Sequence, residues 1–222
     1  MRHAELITEF EDTVRKADFP CVGAKSALAL GRLEYFVGDG FDRTTFDLPL
    51  YEAIRRFSNA LDPLEAAVQS FVAIFDTPRD LDETEFEICL WDKLQSLHNL
   101  DVAYGTEWDK NVDRDPASPH FSFSVCGTSY FVVGLHPHAS RAARRFSMPT
   151  LVFNSHDQFE ALRKDGRYSK LQSTIRKKDI DLEGEINPML ANFGNASEAY
   201  QYSGRKLDED WNCPFVSRER SS

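Results

Sequence analysis

Two histidines around a proline, then three arginines, stand between a glycine and a phenylalanine in GLHPHASRAARRF, Gly134 to Phe146. His136 and His138 are two apart, so on an extended segment they point the same way. Either could serve as an axial or metal ligand, but no HxxxH or HExxH spacing supplies further ligands. Ala139 to Phe146 is composed of good helix formers, with Arg141, Arg144 and Arg145 at near-neighbour helical spacing. A helix that starts directly after a strand presents free backbone N–H groups, and guanidinium forks beside them suit a carboxylate or a phosphate. A solvated basic helix would use the same residues without chemistry.

Cys21 is the second candidate. In Phe19-Pro-Cys-Val-Gly-Ala-Lys25 it stands at the expected start of a helix, where N–H groups favour a thiolate. The plain alternative is a small buried cysteine. Cys213, in Trp-Asn-Cys-Pro-Phe215, ranks below it because the neighbouring proline removes one N–H donor. Cys89 and Cys126 read as structural. Four cysteines without CxxC spacing indicate neither a zinc knuckle nor a disulfide framework. Further on, Ser197-Glu-Ala-Tyr-Gln-Tyr-Ser-Gly-Arg205 gathers Glu198, Tyr202 and Arg205: an acid for a guanidinium or ammonium, and a cation for an anion.

Elements must position these residues. A helix is expected over Ile7 to Ala17, stopped by Asp18-Phe19-Pro20, and another from Cys21. Leu48 to Ala60 and Phe86 to Leu97 carry helical apolar spacing, while SFVAIF at Ser70 to Phe75 reads as a buried strand. Phe121 to Val125 and Tyr130 to Leu135 form a hairpin around Cys126-Gly-Thr-Ser129, and Thr150 to Phe153 is a further strand. His156 to Arg167 and Tyr168 to Lys178 read as helices. The order implies an α+β fold, a single domain over 1–215 with a small, mostly antiparallel central sheet flanked by helices, and a flexible tail over 216–222. The 222 residues, 41% hydrophobic, suffice for a sizeable core.

The net charge of -10 argues against nucleic acid or anionic lipid as a general partner, leaving only local basic clusters. No apolar run is long enough to cross a bilayer and no leader is visible, so a cytoplasmic protein is expected.

The motifs FPCVGAK, GLHPHASRAARRF, TLVFNSHDQFEALR, NPML, SEAYQYSGR and WNCPF, in that order along almost the whole chain, resemble the YqcI/YcgG family. Family members with assigned functions are similar to haem-dependent oxygenases, including an N-hydroxylase of a guanidine-bearing amino acid. The resemblance therefore implies haem b, dioxygen, a small amino-acid-like substrate and a separate electron-donor protein, since no flavin or iron-sulfur motif is present. It implies Cys21 as the axial ligand, with His136 and then Cys213 as alternatives, because a thiolate favours O–O cleavage. It further implies Arg141, Arg144 and Arg145 for haem propionates or a substrate carboxylate, Glu198 for the substrate cation, and His136 for a distal proton network. Asn154, Asn187, Tyr202 and Arg205 become pocket contacts. Tyr200 departs from the basic residue expected at that place, which bears on the substrate's anionic end. A homodimer is compatible with the sequence. The competing classes are a haem sensor or carrier without turnover, a cofactor-free interaction domain, and last a nucleic-acid binder.

Overall fold

The computed structural model describes residues 2–62, 68–208 and 210–219. Its helices are α1 (Arg2–Arg15), α2 (Val22–Ala29), α3 (Asp47–Ala60), α4 (Glu83–Tyr104), α5 (His156–Lys164), α6 (Arg167–Glu183) and the short α7 (Ala199–Tyr202). Its strands are β1 (Leu33–Gly38), β2 (Ser70–Phe75), β3 (Phe123–Val125), β4 (Thr128–Leu135) and β5 (Thr150–Ser155). They form one sheet in the order β1-β2-β5-β4-β3. The fold is α+β with a mixed sheet: β1 runs parallel to β2, and the other neighbours are antiparallel.

SFVAIF is apolar without alternation because both faces of β2 are covered. Phe71, Ala73 and Phe75 pack with α3 and α4 in one core. Val72 and Ile74 face the other way, towards Leu6, Phe10 and Val14, which recur every four residues along one stripe of α1. Helix α4 starts at a capping box between Asp82 and Glu85 and ends at Gly105, which supplies the left-handed φ of 73°. Strand β1, an edge strand paired from Leu33 with Ser70, has no alternating pattern and was not expected.

The segment 139–146 departs from expectation. Only Ala142–Arg144 makes a single 3-10 turn, and Arg141 and Arg145 on either side are extended. Tertiary partners outcompete helix propensity here. Ser140 N–H donates to Glu83 Oε1 at 2.9 Å and Ala143 N–H donates to Glu183 Oε1 at 2.9 Å, so these N–H groups are occupied rather than offered to an anion. Arg145 bonds the carbonyls of Ala139 and Ser140, both at 2.7 Å, and so holds its own loop.

The expected tail is anchored as far as it is described. Val216 exchanges hydrogen bonds with Gln95, and Arg218 N–H donates to His98 Nε2 at 2.9 Å. Residues 220–222 lie outside the described residues.

Gly134 opens the arginine motif because β4 passes close to α4 and α7 there. A Cβ at this position would lie 2.6 Å from Phe86 Cε1 and 2.9 Å from the Tyr202 carbonyl oxygen. Gly134→Ala is therefore expected to cost about 2 kcal/mol, lowering the thermal unfolding midpoint by about 4–8 °C. An unchanged midpoint would show that the Phe86 ring and α7 yield freely.

Candidate functional site

The second face of the sheet is only partly covered by α1 and α2. The rest floors a cavity of about 280 Å³. Ser70 and Val72 of β2, Val152 and Asn154 of β5, and Phe131 and Val133 of β4 share this face by register and form the floor. The roof is α6. Its cavity-facing residues are Tyr168, Leu171, Gln172, Ile175, Arg176 and Asp179, one stripe at helical spacing. Among the described residues of α6 only Asp179 is buried, so the roof's apolar side chains look onto the cavity rather than into packed protein.

Two polar groups face this space. The first is Cys21 with Arg144. Cys21 is the N-cap of α2, and its sulfur accepts a hydrogen bond from Ala24 N–H at 3.4 Å. Burial raises the thiol pKa; the N–H groups of Ala24 and Gly23 and the Arg144 charge oppose the rise. Cys21 and Arg144 are both half-buried and line the cavity. Arg144 Nη1 donates to the Gly134 and Tyr202 carbonyls at 3.1 and 3.4 Å, and Nη2 to the Gln201 carbonyl at 2.9 Å. Its pKa is pushed down to about 10, chiefly by burial and then by Arg141. Arg141 is paired with Asp179 at 2.8 Å.

The second group is Glu198 with His156 and Arg163. Glu198 Oε1 lies 3.8 Å from His156 Nδ1, and its other oxygen is 3.4 Å from the Tyr202 hydroxyl. Burial pushes the carboxyl up to about 7, against the opposing pull of the Ser122 hydroxyl, Arg163 and Tyr202. Burial also lowers the His156 pKa. The Arg163 guanidinium, paired with Glu160, lies 4.5 Å from the Tyr168 ring centre and 5.7 Å from that of Phe193.

Of the residues singled out from sequence, Cys21, Arg141, Arg144, Asn154, Asn187 and Glu198 line this one cavity. Asn154 is a floor tile: its oxygen accepts from Ser70 Oγ at 2.8 Å and its amide donates to the Phe131 carbonyl at 3.2 Å. Asn187 Oδ1 accepts from Met189 N–H at 2.9 Å within its own loop.

Five others are elsewhere. His136 stacks on Phe86 of α4, ring centres 4.3 Å apart, away from the cavity face; burial lowers its pKa to about 4. Arg145 is consumed by its own loop. Arg205 pairs with Glu87, which also accepts from Ser203 and Trp211. Tyr202 supports Glu198 from behind while its hydroxyl donates to the Tyr130 carbonyl and accepts from Phe123 N–H. Cys213 packs against the first core, its pKa raised to about 12 by burial. Among the described residues no three His, Cys, Asp or Glu side chains converge as a metal site.

His156, Arg163 and Arg176 were not anticipated. His156 and Arg163 are seven apart on one helix face within TLVFNSHDQFEALR, and Arg176 falls on the α6 stripe, so spacing carried a signal that residue type alone did not.

The chain matches the YqcI/YcgG family over residues 10–216 and belongs to it. No curated protein and no solved structure matches it.

The elevated Glu198 pKa has a consequence for stability. Its ordinary value of 4.5 in the unfolded chain rises to about 7 on folding, so its protonated form stabilises the fold and that contribution is lost as pH rises through about 7. Relative to the uncharged Glu198→Gln variant, the wild type is expected to lose up to about 3 kcal/mol of unfolding free energy between about pH 4.5 and 7. Denaturant titrations of both proteins across that range check it; parallel curves contradict it.

Proposed function

We propose that this member of the YqcI/YcgG family is a cytoplasmic haem-dependent monooxygenase that N-hydroxylates a guanidino or amino group of a small amino-acid-like substrate. The observation that carries this reading is a cysteine sulfur opening on an apolar cavity that also holds a buried carboxyl. The donor set fits the group the family implies: one thiol for iron, ring walls from Phe10, Phe19, Phe131 and Phe159 for a macrocycle, and Arg144 and Arg141 for acidic substituents.

Haem, when bound, supplies dioxygen activation with electrons from a separate donor protein. The protein's own residues supply the rest. To hold haem iron Cys21 would bind as its thiolate, an anion that the Ala24 and Gly23 N–H groups and the Arg144 charge favour. Glu198, poised near neutrality, holds the substrate nitrogen by a charge-assisted hydrogen bond and accepts its proton. The Tyr202 hydroxyl fixes the carboxyl from behind, and His156 stands on its other side. The apolar side chains of floor and roof, among them Val72, Val133, Val152, Leu171 and Ile175, limit water at the reacting atoms.

Absorption spectra of haem-supplemented protein, ferric and then ferrous with carbon monoxide, test the ligand. A strongly red-shifted carbon monoxide band present in wild type and His136→Ala and lost in Cys21→Ala is expected. A band lost only in His136→Ala moves the ligand off the cavity and refutes this assignment, and haem uptake without product under reductant and oxygen makes the protein a sensor or carrier. In the turnover assay Glu198→Gln is expected to weaken substrate binding about tenfold or more; unchanged affinity removes Glu198 from substrate recognition.

A further inference from the structure

The charges lining the cavity do not balance. Arg141, Arg144, Arg163 and Arg176 face it, against Asp179 and Glu198. Arg141 is neutralised by Asp179 and Arg163 by Glu160. Glu198, the one other acid on the lining, is held towards its neutral form by burial. Arg144 and Arg176 are left with no carboxylate partner among the described residues. Arg144 spends three contacts on carbonyls. Arg176 donates from Nη2 to Asn192 Oδ1 at 3.2 Å, and its Nε is buried without a partner. A buried donor left unmade is costly, and an unpaired guanidinium facing a low-dielectric space more so.

The two arginines are also placed as a set. Arg176 and Asp179 are three apart on α6 and therefore neighbours on its surface. Arg141 bridges to Asp179, and the charge of Arg144 is influenced by both. Arg144 and Arg176 thus each adjoin the neutral Arg141–Asp179 pair. Phe131, Phe159, Leu171 and Ile175 on the same lining offer apolar surface for the body of a ligand.

We infer that Arg144 and Arg176 form a two-point anion clamp, and that the cavity takes a ligand with an apolar body and two acidic groups, one at each guanidinium. Arg176 is the recognition residue that the arginine-rich motif does not contain. The shared chemistry is a dicarboxylate, which a porphyrin carries as its two propionates and a small linear diacid carries at its ends. The clamp depends on charge and shape alone, so it stands apart from whether iron binds Cys21.

Tryptophan-fluorescence titrations of the full chain with iron-free protoporphyrin IX, with suberic acid, and with the dimethyl ester of each test it. Wild type is expected to bind at least one diacid about ten- to a hundredfold more tightly than its ester. Arg176→Gln should weaken the diacid by a similar factor and leave the ester unchanged, while Arg176→Lys recovers part of the loss. Porphyrin preference alone supports the clamp and names the macrocycle as its source. Preference for suberic acid alone supports the clamp while overturning the haem reading above. Equal affinity for acid and ester, an Arg176→Gln variant equal to wild type, or no binding of either diacid overturns the clamp.

Discussion

One half-buried guanidinium fastens three separate parts of this chain. Arg144 follows β4 by nine residues, yet it returns to the Gly134 carbonyl within that strand and reaches across to the carbonyls of Gln201 and Tyr202 in α7. Moving such a charge out of water is expensive, and carbonyl dipoles compensate only part of that cost. The cost is accepted where the geometry is needed. By drawing α7 against β4, Arg144 holds Tyr202 beside Phe123 and Tyr130, and Tyr202 in turn supports Glu198. The same guanidinium lies beside Cys21, whose anionic form it favours. The two polar groups of the cavity are therefore linked through one side chain.

The cavity exists because one face of the sheet is covered by a helix that does not pack onto it. The apolar stripe of α1 is buried against Val72 and Ile74 in the ordinary way. The stripe of α6 mixes Leu171 and Ile175 with Gln172, Arg176 and Asp179, which cannot all be buried in a dry core. Its attachments include polar ones, Arg141 to Asp179, Ala143 N–H to Glu183, and Gln172 and Arg176 to Asn192, and the Tyr168 ring against Phe159 of α5. A roof held at its edges can move without unfolding the core. A ligand larger than the present volume of about 280 Å³ must displace it.

How much of this was legible depended on where the deciding interaction lay. Strand β2 was readable to the residue because its six apolar side chains serve two covered faces. The α4 helix and the hairpin at Cys126 were readable because spacing and turn chemistry are local. The helix expected over 139–146 was not formed, since Glu83 and Glu183, distant in sequence, capture its N–H groups. Cys21 and Glu198 were legible as unusual residues in motifs, whereas their meeting in one cavity is a product of the sheet register. The three arginines of the motif look equivalent in sequence and have three different occupations: α6 for Arg141, α7 for Arg144, and the loop itself for Arg145. His136, the alternative to Cys21 as ligand, stacks on Phe86, which takes it to the other side of the sheet.

On the proposed function, a ligand completes the cavity beneath α6. Hydrogen–deuterium exchange of this chain, with and without haem, tests it most directly. Slower exchange on haem addition is expected in the amides of α6 and of 20–24, with α3 and the body of α4 unchanged. Protection centred on His136 and the start of α4, or no change in α6 under conditions where haem is bound, would contradict it.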